Sequence, residues 1–189
     1  MAVKTMAASG GEGKFDDGWH ELTIATSEYG IYKASNGEEK RYLDITFEGY
    51  PDNLNLRTYE VFNKTTNEEF KIANIFKYAN AGILAVLKDP TGKKPVIQYD
   101  DEASGLVGRS INIFFYKETK SGKGYTRLWD GIAPVEQEGE HLSYTADQVA
   151  AIKKGSEKRY NKSLEMSTDT VVTDTTVTAA ATASSDIPF

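Results

Sequence analysis

The chain has 189 residues, room for one ordinary domain and an appendage, and at 39% hydrophobic and 11% aromatic it can bury a single core. With no Cys and only His20 and His141 as imidazoles, disulfides and thiolate zinc sites are excluded. All but four of the 28 acidic side chains and all 22 basic ones lie in residues 1–162, so the formal charge of −6 reflects an acidic tail on a nearly neutral body, which can still carry a local basic groove.

Residues 1–14 are small and Gly-rich and read as a flexible N-terminal arm. They contain no apolar run of signal-peptide length, and no stretch reaches the roughly 20 apolar residues that span a bilayer, so no membrane association and a cytoplasmic location are expected. From Trp19 the stretch WHELTIATSEYGIYKA is β-like, with Leu22, Ile24 and Ile31 among polar and aromatic residues. Asn36-Gly37 then signals a hairpin. RYLDITFEGY alternates, which predicts a half-buried strand with Leu43, Ile45 and Phe47 inward and Tyr42, Asp44, Thr46 and Glu48 outward. LNLRTYEVFN predicts a third strand in which Leu56/Phe62 and Tyr59/Val61 compete for the inner face.

The period changes at TTNEEFKIANIFKYANAG, where apolar residues recur at helical spacing. Thr66 and Glu69 suit a capping box, Gly82 a stop, and Phe70 and Phe76 are expected to cover a β-barrel. The segment containing Pro90-Thr91-Gly92 has no clear assignment; PVIQYD reads as a short strand and GRSINIFFYKE as a long one. A turn at 120–124 leads into YTRLWDGIAP, the last strand, and Thr145 with Gln148 caps a final short helix. From Ser163 onward Thr, Ala, Ser and Asp dominate, burial cannot offset the entropy of ordering, and a disordered tail is expected over 163–189.

The chain is thus expected to be mainly β with one or two helices. Three strands, a helix and a strand hairpin follow the order of an OB-fold, a five-stranded Greek-key barrel, here over 15–162 with a C-terminal helix. A barrel face that binds single strands needs aromatic rings for bases and cations for phosphates, interleaved on the same strands. The candidates are Arg41, Tyr42, Arg57, Tyr59, Arg109, Tyr116, Lys117, Lys120, Lys123, Tyr125, Arg127 and Trp129. The alternating Tyr125, Arg127 and Trp129 form the strongest local signal, because Arg127 does not belong in a core between two buried neighbours.

An enzyme is the competing class. Asp100, Asp101 and Glu102 have the chemistry to hold Mg²⁺ for a nuclease, but a solvated acidic loop explains them more simply. Glu-x-Lys occurs four times, at Glu12, Glu38, Glu69 and Glu118, so it discriminates nothing. No phosphate-binding Gly-rich loop or nucleophile motif is present, and neither catalysis nor a cofactor is expected.

The tail ends Asp186-Ile187-Pro188-Phe189, and this ending resembles the C-terminal tip of bacterial single-stranded DNA-binding proteins. The resemblance implies recruitment of replication, recombination or repair proteins, with Phe189 filling an apolar pocket, Pro188 limiting the entropy lost on docking and Asp186 adding charge steering. Where the family carries several acids, this chain has Ser184-Ser185-Asp186, which implies weaker steering. The body is more similar to bacteriophage-encoded single-stranded DNA-binding proteins, through residues 19–32, NEEFKIANIFKYANAG and LVGRSINIFFYKE with YTRLWDGIAP; a host-cell cytoplasm is then implied. The expected function is sequence-independent coating of single-stranded DNA, compatible with a homo-oligomer. A strand-annealing or duplex-binding recombination protein is the alternative, with a Mg²⁺-dependent nuclease behind it.

Overall fold

The structure, a computed structural model, describes residues 15–33, 35, 37–88, 95–120 and 123–169, with the side chains of Lys120 and of residues 166–169 left out. The expected N-terminal arm, the turn residue Asn36, the unassigned segment at 90–92 and the residues of the C-terminal tip lie outside the described residues. A 16-residue strand β1 (Gly18–Lys33) organises the rest. Its first part, Gly18 to Thr23, pairs antiparallel with Ser110 to Phe115, and its second part, from Ile24 to Lys33, pairs with a strand of residues 39–47. The register slips between Ile24 and Thr26. A bulge bends a strand and sharpens its twist, so one strand can serve two ladders that diverge. Leu22 and Ile24 are buried as their spacing predicts, but Ile31 is 69% exposed because the end of β1 projects past the core.

Strand β2 (Glu39–Phe47) buries Leu43, Ile45 and Phe47, as its alternation predicts. The ambiguous third strand is short: β3 (Leu56–Tyr59) buries Leu56 and Thr58 and turns Arg57 and Tyr59 outward. Helix α1 (Lys71–Ala79) buries Ile72, Ile75, Phe76 and Ala79. Phe76 covers the sheet as expected, whereas Phe70, just ahead of the first turn, is 43% exposed. The capping also differs from expectation. The Glu69 carboxylate itself accepts the backbone N–H groups of Lys71, Ile72 and Ala73 at 2.8, 2.9 and 2.7 Å; Thr66 N–H is turned instead to the Asn63 side chain at 3.3 Å. The left-handed residue that ends α1 is Asn80, with φ 49°; Gly82 follows it, also at positive φ, where a side chain would strike the Asp100 carbonyl.

Strands β4 (Ile83–Leu87) and β5 (Val96–Tyr99) form a separate two-stranded sheet. A 3₁₀ turn at Ala103–Leu106 leads to β6 (Ser110–Lys120), which pairs with β7 (Lys123–Ala133). Helix α2 (Ala146–Asp169) follows, entered through the capping box expected at its start: Thr145 N–H donates to Gln148 Oε1 at 2.9 Å and Gln148 N–H to Thr145 Oγ1 at 3.4 Å. It is a long helix of 24 residues. Its last residues correct the tail boundary: 163–169, expected to be disordered, continue the helix, because Leu164, Glu165 and Met166 are good helix formers and extending a helix costs far less than starting one.

The main sheet has five strands in the order β3-β2-β1-β6-β7, all neighbours antiparallel. Among the described residues the chain is mainly β with two helices, as expected, but the sheet is not closed into the expected barrel. Strands β3 and β7 approach one another and α1 packs against both, yet no ladder joins them among the described residues. The cause is local: past β3, residues 61–63 bond to 68–70 of their own loop, through Phe70 N–H to Val61 O at 3.1 Å and Asn63 N–H to Glu68 O at 2.9 Å. The core lies between the inner face of the sheet and α1, with Ile24, Leu43, Ile45, Phe76, Ile113 and Phe115 fully buried. Among the described residues no helix is long and apolar enough to cross a membrane.

Candidate nucleic-acid interface

Cross-strand register decides which aromatics meet. Tyr42 stands opposite Gly30 on one side and Tyr59 on the other, so all three share the outer face of β1, β2 and β3. The rings of Tyr42 and Tyr59 are 5.7 Å apart edge to face, and Tyr32, on the same face of β1, meets Tyr59 at 5.8 Å. Gly30 makes room for this arrangement: the Tyr42 ring lies across it so closely that any Cβ there would strike the ring. Tyr32 and Tyr59 are exposed and Tyr42 is half-buried. The two exposed rings, Tyr32 and Tyr59, present surfaces on which unpaired bases can stack, with Tyr42 packed beside them. Of the three, Tyr32 was not among the residues singled out by sequence; its contact with Tyr59 crosses from β1 to β3, and no periodicity within one strand reveals that.

The cations are less free than the sequence implies. Arg57 lies over the Tyr42 ring at 4.3 Å and forks onto Asp44, with Nε donating to Oδ1 at 2.8 Å and Nη2 to Oδ2. This bond holds the Arg57 guanidinium above its ordinary pKa. Arg41 occupies the opposite face: its guanidinium sits 3.5 Å above the Tyr29 ring and bonds Asp101 at 3.0 Å and Glu60 at 3.4 Å. It therefore does not join Tyr42, although adjacent in sequence. Lys40, opposite Tyr32, is exposed on the tyrosine face.

The second half of the sheet carries Tyr116, Tyr125, Arg127 and Trp129. Arg127 pairs in register with Tyr116, donates to Glu118 at 2.9 Å and lies 5.7 Å from the Tyr125 ring, which is exposed. The far end of this face is covered. Tyr160 of α2 contacts Phe114 at 5.2 Å, Tyr116 at 5.4 Å and Trp129 at 5.3 Å. Trp19 belongs to the same cluster, 5.6 Å from Phe114, and its Nε1 donates to Glu157 at 2.7 Å. Lys153 lies 5.6 Å over the Trp19 ring, where burial pushes its ammonium pKa down. Burial also raises the hydroxyl pKa of Tyr116, with Glu118 adding to the effect. The triplet that sequence ranked first is therefore split, with Tyr125 and Arg127 open and Trp129 beneath a helix.

Lys117 and Lys123 are exposed on β6 and β7, and the backbone of Lys120 pairs with Lys123 at the hairpin end. Arg109 is exposed on the loop before β6, beside an open cleft with His141 and Glu138, away from both aromatic clusters. The acidic triplet does not converge: Asp101 is held by Arg41, Asp100 accepts the Glu102 N–H at 3.1 Å, and Glu102 accepts Ser104 Oγ at 2.8 Å. Asp186, Ile187, Pro188 and Phe189 lie outside the described residues. No known family model matches the chain, and no curated protein sequence matches it.

Proposed function

We propose that the protein binds single-stranded DNA without sequence preference and shields it during replication, recombination or repair, using the outer face of β1, β2 and β3. The observation that carries this reading is the row of Tyr32, Tyr42 and Tyr59 with Arg57 laid over one ring. The order of strands, with β1 shared between two ladders, suits an OB-type barrel opened between β3 and β7. Since Arg57 is already matched by Asp44, stacking carries more of the binding than counterion release, and the salt dependence is expected to be shallower than that of a strongly basic groove. The last four residues recruit partner enzymes, which is the reading their resemblance supports.

Fluorescence anisotropy with a labelled oligo-dT tests this. Each of Tyr32→Ala and Tyr59→Ala, the two exposed rings, is expected to weaken binding roughly tenfold, since a stacked base is worth about 1–3 kcal/mol. Absence of binding at low salt by the unaltered chain overturns the reading. Equal affinity for duplex together with faster pairing of complementary strands moves it to a strand-annealing protein. Deleting Asp186 to Phe189 is expected to leave DNA affinity unchanged or raised.

A further inference from the structure

Helix α2 lies on an aromatic surface of the kind that binds bases. Beneath it Trp19, Phe114, Tyr116 and Trp129 line the outer faces of β1, β6 and β7, and Tyr160 is set among three of their rings at 5.2 to 5.4 Å. That surface continues along β7 into the open Tyr125 and Arg127. The seat of the helix is imperfect. Trp129 Nε1 and Ser156 Oγ are both buried there with no hydrogen-bond partner among the described residues, and both face Gly131, where a side chain would collide with each of them. Unmade hydrogen bonds between buried groups oppose docking, since both groups are solvated when the helix lifts. Beside Trp129 a cavity of about 170 Å³ enters the seam between α1, β7 and α2, with Arg159 and the Lys71–Asp130 ion pair on its wall.

We propose that Trp19, Phe114, Tyr116 and Trp129 form a second base-stacking platform, and that α2 is a displaceable cover whose Tyr160 holds the place of an unpaired base. The ligand is the same single strand, so the proposal rests on the single-strand reading above. With α2 seated, the strand occupies the tyrosine face; with α2 lifted, the platform becomes continuous with Tyr125 and Arg127, and further bases stack there. To lift, α2 must break the Trp19–Glu157 hydrogen bond, and a ligand that binds only the open form shifts the population toward it.

Hydrogen exchange of the full chain with and without oligo-dT reads the cover directly. Amides of α2 around residues 150–163 are expected to exchange faster when DNA is bound, while those of α1 keep their protection. Affinity is expected to rise several-fold in Tyr160→Ala, which removes the ring that fills the platform, and to fall in Ser156→Ala, which removes an unpartnered hydroxyl and seats the helix better. Protection of α1 amides in each variant reports that the fold is intact. If DNA binds but α2 keeps or gains protection and both variants bind like the unaltered chain, α2 is a fixed part of the fold and the cover is overturned while single-strand binding stands. If neither the unaltered chain nor Tyr160→Ala binds DNA, the single-strand reading falls and this proposal with it.

Discussion

Tyr42 lies flat across Gly30 because that position of β1 has no side chain, and Arg57 closes over the ring because Asp44 anchors its guanidinium from the same face. The Arg57–Asp44 pair is exposed, so it adds little stability, and its main effect is on the charge that a phosphate would meet. Asp44→Asn is therefore expected to tighten single-strand binding several-fold and to steepen its salt dependence, with little change in melting temperature; binding titrations at two salt concentrations check it. At this scale the sequence was informative about residue type and poor about partners. Tyr42, Arg57 and Tyr59 were legible from interleaved aromatics and cations, but the carboxylates that neutralise the arginines, Asp44 for Arg57, Glu118 for Arg127 and Asp101 for Arg41, depend on register and on loops distant in sequence. Arg41 shows the limit: one residue from Tyr42, it faces the other way.

Among the elements, α1 shows how a cap can move by a few residues. Glu69 collects three N–H groups of the first turn and also accepts Val61 N–H at 3.3 Å, tying the helix start to the beginning of the loop that precedes it. Glu69→Ala is expected to lower stability by about 1–2 kcal/mol, the usual cost of a lost cap, measurable by urea unfolding. The helix and the Thr145–Gln148 box were readable because both are written in a few consecutive residues. The seat of α2 was not, since Tyr160 meets Phe114 and Trp19 meets Glu157 through the tertiary fold alone. The missing closure between β3 and β7 was equally hidden: strand order can be read along the chain, whereas a ladder needs a free edge, and residues 61–63 use theirs on 68–70.

For the whole molecule, the many tyrosines make stability sensitive to alkali. Burial raises the hydroxyl pKa of Tyr29, Tyr50, Tyr78, Tyr99, Tyr116 and Tyr160, and pushes Tyr144 up to about 12. A group whose folded pKa is raised contributes stability that is fully present below its unfolded value, about 10 for Tyr, and is lost as pH rises through the folded value. Melting temperature is accordingly expected to hold up to pH near 10 and then fall as pH approaches about 12, with tyrosinate absorbance lagging behind that of the unfolded chain. A spectrophotometric titration that matched the unfolded chain throughout would contradict this.

The double membership of β1 also sets an order of events at the ribosome. Its second part, Ile24 to Lys33, finds β2 almost as soon as it is made, whereas Gly18 to Thr23 have no partner until Ser110 to Phe115 have been synthesised. Until then the nascent chain carries a half-finished strand whose free backbone groups and uncovered Trp19 and Leu22 are a template for mispairing. The slip between Ile24 and Thr26, which in the finished protein only bends a strand, also separates the residues whose partners lie near in sequence from those whose partners come about ninety residues later.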